Sequence, residues 1–370
     1  MSYVPSREHW EARPPGELGL RADALQAAIL HHRAHESAWP RDFVTRSGKF
    51  IGVADEPDDS AVLGPVRPRE DPSGLVVRHG YIVAEWGDTR RSDMSFSIAK
   101  SYLAVLAGLA VQRGLIRDLD EPVAATAVDE GFASPHNAAI TWRHLLQQTS
   151  EWQGTLWDKP DSIDHNRDVG KSELGHAAKG TPRPMRPPGT LWEYNDVRVN
   201  RLSLSLLQRF RRSLPDVLRE AIMQPIGAAD DWEWHPYRNS WLEVDGQRLP
   251  SVPGGSHWGG GLWMATREHA RFGLLMQRQG RWGAQPLLDA AWIAAMRQPC
   301  PLNPGYGLLW WLNTGRTAWP SAPASCYAAR GAGSNVIWID PEHDLVVVLR
   351  WIDKTSVDGV LRLVLESVTD

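Results

Sequence analysis

Ser97 and Lys100 are the two side chains in this sequence whose types and spacing most clearly suggest chemistry. They lie three residues apart in the stretch Ser-Phe-Ser-Ile-Ala-Lys-Ser-Tyr at 95–102. If this stretch is helical, both side chains fall on one face, about one turn apart. A hydroxyl beside an amine at the edge of an apolar region is a candidate activated nucleophile. The pair therefore predicts covalent catalysis through Ser97.

The residues that follow predict the helix that has to hold this pair. The segment 103–110 reads Leu-Ala-Val-Leu-Ala-Gly-Leu-Ala, so we expect a buried helix whose first turn lies at the edge of a core. The chain contains 34 arginines but only six lysines. Because a lysine can lose its proton and an arginine cannot, a lysine at this position favours a role for Lys100 in proton transfer.

The order of the predicted elements indicates how that helix is supported. We expect strands at 75–78, 81–86, 335–339 and 345–351, and helices at 21–36, 97–113, 141–150, 196–212, 267–278, 287–297 and 356–367. Strands thus lie towards both ends of the chain and helices in the middle. This arrangement predicts the α/β (α+β) class, with a sheet domain built from 1–95 and 255–370 and an all-helical domain at 96–254.

Composition and charge exclude several classes of function. With 370 residues, 42% of them apolar, the chain is long enough to bury a large core. The net charge of −4 and the scattered basic residues leave no footprint for nucleic acid. No long apolar run and no leader-like start occur, which predicts a cytoplasmic protein without a membrane segment. Cys300 and Cys326 lack the spacing of a metal site, so we expect reduced thiols and no metal.

Five further motifs accompany the Ser97 pair. Pro-Gly-Thr-Leu-Trp-Glu-Tyr at 188–194 places Tyr194 at the start of a predicted helix, and Arg-Gly-Ala-Gly-Ser at 330–334 can bring a backbone N–H group close to a substrate. The other three are Leu-Leu-x-x-Thr-Ser at 145–150, Gly-Gly-Gly at 259–261 and an Asp-Pro turn at 340–341. Over about residues 74–352 the chain resembles the serine β-lactamase and penicillin-binding-protein superfamily, in its branch of class C β-lactamases, family VIII carboxylesterases and 6-aminohexanoate-dimer hydrolases.

The resemblance implies a fold and a set of roles. The implied fold is β-lactamase-like: an antiparallel sheet flanked by helices, plus a helical domain, with the active site in the cleft between them. By this resemblance Ser97 is the acylated nucleophile, Lys100 is its partner, and Tyr194 carries protons to and from the leaving group. Backbone N–H groups of Ser97 and of the Gly333 and Ser334 segment would hold the oxyanion.

Two departures from the family pattern bear on the substrate. The family's Tyr-x-Asn motif ends here in Asp196 instead of asparagine. The family's Lys-Thr-Gly box, which binds the carboxylate of a β-lactam, has no lysine in this sequence. Arg330 precedes the corresponding glycines. We therefore expect a serine hydrolase that forms an acyl-enzyme on a small ester or amide and needs no cofactor. A true β-lactamase or D-peptidase is one alternative, and a non-catalytic binding protein on the same fold is another.

Several assignments stay open at the level of sequence. Asp196 and Trp258 are further candidates for contact with the substrate, but Asp196 is alternatively the N-cap of the helix that follows it. The general base is either Lys100 as a neutral amine or Tyr194 as a phenolate beside a charged Lys100. The expected partner is a small-molecule substrate, and the oligomeric state is undetermined.

Overall fold

The structure is a computed structural model that describes residues 3–44, 61–170 and 177–369. Its helices are α1 (Ala22–Ala34), α2 (Ile98–Gln112), α3 (Trp142–Leu146), α4 (Asp196–Phe210), α5 (Leu214–Leu218), α6 (Thr266–Gln277), α7 (Ala290–Met296) and α8 (Val357–Glu366). Its strands are β1 (Ser73–Arg78), β2 (Tyr81–Trp86), β3 (Ser92–Met94), β4 (Thr155–Leu156), β5 (Lys159–Pro160), β6 (Glu233–His235), β7 (Trp241–Val244), β8 (Gln247–Pro250), β9 (Gly261–Ala265), β10 (Arg281–Trp282), β11 (Gln285–Pro286), β12 (Trp311–Leu312), β13 (Tyr327–Gly331), β14 (Asn335–Asp340) and β15 (Leu345–Arg350).

A six-stranded antiparallel sheet is the centre of the described fold. Its strand order is β12-β13-β14-β15-β1-β2. Strands β1 and β15 pair in register from Ser73↔Arg350 to Arg78↔Leu345, so the two ends of the chain meet in one sheet. This confirms the predicted antiparallel sheet. The sequence did not predict β13, because Tyr-Ala-Ala-Arg-Gly contains only one residue that favours strands.

Helices cover both faces of this sheet, which explains why β15 is apolar at successive positions. Val346 and Val348 belong to the core shared with α2 and α6. Leu345, Val347 and Leu349 belong to the core shared with α1 and α8 on the other face. Alternate side chains of a strand point to opposite faces, so a strand buried on both sides shows no alternation of polarity.

The middle of the chain contains helices α2 to α5, long irregular connections and short strands. Helix α4 packs against α2, and β6 pairs with β9, which in turn pairs with β3 in a small three-stranded sheet. The division into a sheet domain and a helical domain stays a prediction. In the described part of the chain, no helix has the length and apolar character needed to cross a bilayer.

Candidate active site

Ser97 occupies the N-cap of α2, in a turn that leaves it accessible. It is the one residue of the fully described stretch Asp93–Ala110 that is not buried. Phe96, just before it, has a φ of 49°, a left-handed conformation that a bulky residue rarely adopts. The Phe96 ring packs against Trp39, Phe43 and Trp351, with ring centroids 5.2, 5.8 and 6.2 Å away. This aromatic cluster holds the strained turn from which Ser97 faces the cleft.

Buried polar contacts fix the same turn. The hydroxyl of Ser95 lies 2.8 Å from His269 Nε2, and the hydroxyl of Tyr102 lies 3.0 Å from His269 Nδ1. Burial holds the pKa of His269 well below its usual range, so the ring is neutral. Although this Ser-His-Tyr chain looks like a relay, its three side chains are fully buried. It therefore positions the turn. Arg350 adds a hydrogen bond of 2.9 Å from its guanidinium to the Met94 carbonyl.

Lys100 lies one turn along the helix and is surrounded by three acceptors. Its Nζ is 2.9 Å from Ser97 Oγ, 2.5 Å from Asp196 Oδ1 and 3.0 Å from the Gly254 carbonyl oxygen. Lys100 is only 1% exposed. An ammonium group has three N–H donors, so this arrangement satisfies a charged Lys100 completely.

Asp196 is the first residue of α4, and its carboxylate bridges two cations. One oxygen faces Lys100, and the other lies 2.7 Å from Arg167 Nη1. Burial alone would raise the pKa of the Asp196 carboxyl, but the positive charges of Arg167 and Lys100 hold it well below its usual range. The N-cap of α4 is Asn195, which accepts a hydrogen bond from the Arg198 N–H, so the capping role considered for Asp196 lies one residue earlier.

A second buried carboxylate extends this charged cluster. Asp164 accepts a hydrogen bond of 2.8 Å from the Asp196 N–H and lies 3.4 Å from Arg167 and 3.2 Å from Lys179. Burial lowers the pKa of His257, which faces Asp164, to about 4, so this ring is neutral at pH 7. The three cations and two carboxylates of the cluster therefore leave a net charge of +1.

Tyr194 lies in the wall of the same cleft as Ser97. Its ring centroid is 4.7 Å from Lys100 Nζ and 5.2 Å from Arg167 Cζ. Trp311 stacks on it at 5.8 Å between ring centroids, with an angle of 28° between the planes. The tyrosine thus has two positive charges on its ring and an aromatic partner that fixes its orientation.

A buried ion network anchors the segment that carries Tyr194. Arg183 binds Glu151 at 2.6 Å and Glu193 at 2.6 Å, and Arg198 binds Glu151 at 2.7 Å. Burial would raise the pKa of Glu151, but its hydrogen bond to Arg183 and the charge of Arg198 lower it to about 2. Because Glu193 immediately precedes Tyr194, this network fixes the backbone at the tyrosine.

The cleft has a volume of about 460 Å³, and the glycine-rich end of β13 forms one wall. Gly333 and Ser334 both line it. The closest approach to the Ser97 turn is made by Gly331, where a Cβ atom would overlap the Ser95 carbonyl oxygen. Gly331 is therefore the residue that lets the strand lie against the turn.

Trp258 lies outside this cleft. Its ring is fully buried, 4.3 Å from the His257 ring and 5.9 Å from the Tyr237 ring between centroids. Contact with a substrate is not open to it in this structure, and it serves as a core residue. The sequence also gave no signal for Arg167 or Gly254, since both lie in segments without periodic pattern.

Comparisons with known proteins agree with this architecture. A family model described as Beta-lactamase matches residues 76–359. Comparison with curated protein sequences gives no match. A solved penicillin-binding-protein homologue from Caulobacter crescentus has a TM-score of 0.61 and 14% sequence identity, with 94% of this chain and 99% of that chain covered. A β-lactamase from Mycobacterium bovis has a TM-score of 0.55 and 19% identity, with 81% and 95% covered.

A third solved structure is EstCE1, which is named as a hydrolase with promiscuous acyltransferase activity. Its TM-score is 0.55 at 16% identity, with 81% of this chain and 93% of that chain covered. At such identities the structural likeness shows the fold, whereas the family match extends over most of the chain. This chain belongs to the beta-lactamase family.

Proposed function

We propose that this protein is a serine hydrolase that forms an acyl-enzyme at Ser97 with a small ester or amide substrate. The observation that carries the proposal is the 2.9 Å contact between Ser97 Oγ and Lys100 Nζ at the wall of a cleft. Ser97 is accessible while Lys100 is buried and anchored, which is the arrangement expected of a nucleophile and its charged partner.

Tyr194 is the general base in this proposal, and Lys100 stays an ammonium ion. The Asp196 carboxylate pairs with the charge on Lys100, and Lys100 and Arg167 both lie against the Tyr194 ring. As Ser97 Oγ forms its bond to the substrate carbonyl carbon, its proton passes to the Tyr194 oxygen. The same proton then protonates the leaving alcohol or amine as the bond to the carbonyl carbon breaks.

The negative charge of the tetrahedral intermediate needs preorganised donors. The N–H of Ser97 at the start of α2 is one candidate, and an N–H of the segment 331–334 is the other, because Gly331 brings that segment against the turn. A water molecule, deprotonated by Tyr194, then attacks the acyl carbon. The bond from that carbon to Ser97 Oγ breaks, Tyr194 returns the proton to Ser97 Oγ, and the acid is released.

An ester or small amide is favoured over a β-lactam because the lysine of the Lys-Thr-Gly box is missing. A β-lactamase or D-peptidase remains the rival activity. A non-catalytic binding protein on this fold is the rival from another class.

The test is hydrolysis of 4-nitrophenyl acetate by the wild-type protein and by Ser97→Ala, with Ser101→Ala as the matched control from the same helix. We expect loss of at least about 1,000-fold in kcat/KM for Ser97→Ala and a small change for Ser101→Ala. Intact-mass spectrometry after quenching should show one acetyl group, and only when Ser97 is present. Activity that survives in Ser97→Ala would overturn the proposal, and stable acylation by benzylpenicillin with no ester turnover would favour the rival activity.

A further inference from the structure

A second cavity adjoins the catalytic cleft. It measures about 460 Å³, within the range of roughly 300–1,000 Å³ that is typical of small-molecule sites. The two cavities have Gly170, Trp311 and Arg330 in common. Apart from Arg330, the described wall of the second cavity is uncharged, and its apolar members include Leu302, Pro304, Leu312 and Ala318. The cavity is therefore suited to an uncharged, mainly apolar group.

Trp311 connects this cavity to the proposed general base. Its ring stacks on the Tyr194 ring at 5.8 Å between centroids, and both rings line the catalytic cleft. Trp311 also lines the second cavity, whereas Tyr194 and Ser97 do not. The aromatic residue of the cleft next to the nucleophile turn is Trp39, which packs on Phe96 and does not line the second cavity. The second cavity therefore adjoins the side of the cleft that holds Tyr194.

The proposed mechanism fixes which half of an ester faces that side. When the bond between the carbonyl carbon and the alcohol oxygen breaks, Tyr194 gives its proton to that oxygen, so the two oxygens lie within hydrogen-bonding distance at this step. The carbonyl carbon stays bonded to Ser97 Oγ. The alkyl group of the alcohol thus begins beside Tyr194 and Trp311, whereas the acyl group begins beside Ser97. The second cavity can receive the alkyl group of the alcohol.

The charges at this position favour an alcohol over an amine as the leaving group. The cluster around Lys100 has three cations and two carboxylates, a net charge of +1, and Arg330 adds a cation 5.0 Å from the Trp311 ring. Asp168 also lines the cleft, but it is exposed to solvent, where its charge is screened. A released alkylamine takes up a proton at pH 7, because such amines have a pKa of about 10. Its ammonium group would meet like charges and an apolar wall, whereas a released alcohol stays neutral.

We propose that the substrate is an ester of an apolar alcohol and that the alkyl group of this alcohol occupies the second cavity. The inference rests on the proposed function, because it names the substrate class for the same site. Trp311 then has two roles, since it orients Tyr194 by stacking and contacts the first carbons of the alcohol. The acyl group lies in the cleft itself, and its length has less influence on the reaction.

Two isomeric esters test on which side of the ester bond the apolar chain is bound. Hexyl acetate and ethyl hexanoate contain the same atoms, but the long chain belongs to the alcohol in the first and to the acid in the second. We expect kcat/KM for hexyl acetate to be at least about 10-fold higher, after each value is divided by the rate constant for hydrolysis of that ester by hydroxide. Ethyl acetate should be closer to ethyl hexanoate than to hexyl acetate. Equal values for the two isomers, or a preference for ethyl hexanoate, would overturn the inference.

Calorimetric titration with 1-hexanol, hexylamine and ethanol tests the cavity without turnover. 1-Hexanol has the chain and no charge, hexylamine at pH 7 has the chain and a positive charge, and ethanol lacks the chain. We expect 1-hexanol to bind the wild-type protein at least about 10-fold more tightly than either of the others. Equal or tighter binding of hexylamine would overturn the preference for an alcohol. Equal binding of ethanol would overturn the apolar site.

Substitutions in the second cavity test whether its wall causes these preferences. Ala318→Phe places a ring in the cavity, and Thr317→Phe places one at its exposed rim, where the fold tolerates the larger side chain. Each should lower kcat/KM for hexyl acetate by about 10-fold and that for ethyl acetate by less than about 3-fold. Ala34→Phe, at an exposed site that lines neither cavity, should leave both values unchanged. An unchanged preference for hexyl acetate in the folded cavity variants would exclude the second cavity.

Failure of this inference is distinct from failure of the proposed function. Hydrolysis of 4-nitrophenyl acetate that depends on Ser97, without a preference between the isomeric esters, would refute the alcohol site alone. Absence of hydrolysis of every ester, with 1-hexanol bound as expected, would refute the hydrolase assignment but not the apolar site.

Discussion

Lys100 Nζ lies 2.5 Å from Asp196 Oδ1, and the two side chains are only 2% and 4% exposed. Helix α2 supplies the lysine, and the first residue of α4 supplies the carboxylate. A buried charge is tolerated only when all of its hydrogen-bonding groups have partners. Here the Gly254 carbonyl oxygen is a further acceptor for Lys100, and Arg167 is a second cation for Asp196. The pair thus joins the nucleophile to the segment of Tyr194.

Removal of the Asp196 carboxylate should destabilise the protein strongly. We expect Asp196→Ala to lower the free energy of unfolding by about 3–5 kcal/mol, because it leaves Lys100 buried without its carboxylate partner and Arg167 with Asp164 alone. Urea unfolding followed by fluorescence measures this loss. In a Lys100→Met background, Asp196→Ala should lower the free energy of unfolding by less than it does in the wild type. The coupling energy between the two substitutions should be about 1–3 kcal/mol. Additive losses would show that the two side chains do not interact.

Gly331→Ala should damage activity through the backbone contact between β13 and the Ser97 turn. The added methyl group would overlap the Ser95 carbonyl oxygen, so strand and turn have to separate. We expect kcat for ester hydrolysis to fall by about 100-fold, with a smaller change in KM. Gly16→Ala is the matched control, because a Cβ atom there meets no described atom within 4 Å. Equal effects of the two substitutions would contradict the proposed close approach.

Phe96 offers a test of strain at the nucleophile turn. Phe96→Ala removes a ring from the aromatic cluster and should cost about 3–5 kcal/mol of unfolding free energy. Phe96→Gly removes the same ring but relieves the left-handed φ of 49°. We therefore expect the glycine variant to be the more stable of the two by roughly 1 kcal/mol. Thermal unfolding of both variants decides the order, and a more stable alanine variant would exclude strain at this residue.

His32 should make stability depend on pH between about 6.5 and 4. The indole N–H of Trp86 donates to His32 Nδ1 at 3.0 Å, which leaves the proton on Nε2 to donate to the Arg350 carbonyl at 3.0 Å. Burial lowers the pKa of His32 to about 4. The unfolded chain therefore binds a proton that the folded chain does not, and stability is complete above pH 6.5 and falls as the pH drops towards 4.

The expected loss is about 2 kcal/mol of unfolding free energy between pH 7 and pH 5, since at pH 5 the unfolded imidazole is charged and the folded one is largely neutral. His257, with its pKa also lowered to about 4, adds a loss of the same sign. Urea unfolding at the two pH values measures the sum. The decrease in unfolding free energy from pH 7 to pH 5 should become smaller in His32→Asn. It should stay unchanged in His35→Gln, because the His35 ring is exposed. An unchanged decrease in His32→Asn would contradict the attribution of this pH dependence to His32.

The amino-acid sequence by itself determined the local part of the site. Ser97 and Lys100 meet because three residues on an α-helix make about one turn, and that spacing is visible in the letters. The apolar run after them predicted a buried helix, which α2 confirms. The runs of β-branched residues in β1, β14 and β15 predicted the strands at both ends.

Only the tertiary structure decided which charges surround Lys100. Asp196, Arg167 and Gly254 lie 96, 67 and 154 residues away in the chain, and no periodic pattern connects such positions. Their meeting depends on how α4 packs against α2 and on where the intervening loops are held by buried ion pairs. For the same reason the sequence suggested Trp258 as a substrate contact, while packing buried that ring and placed Arg330 and Trp311 at the cleft instead.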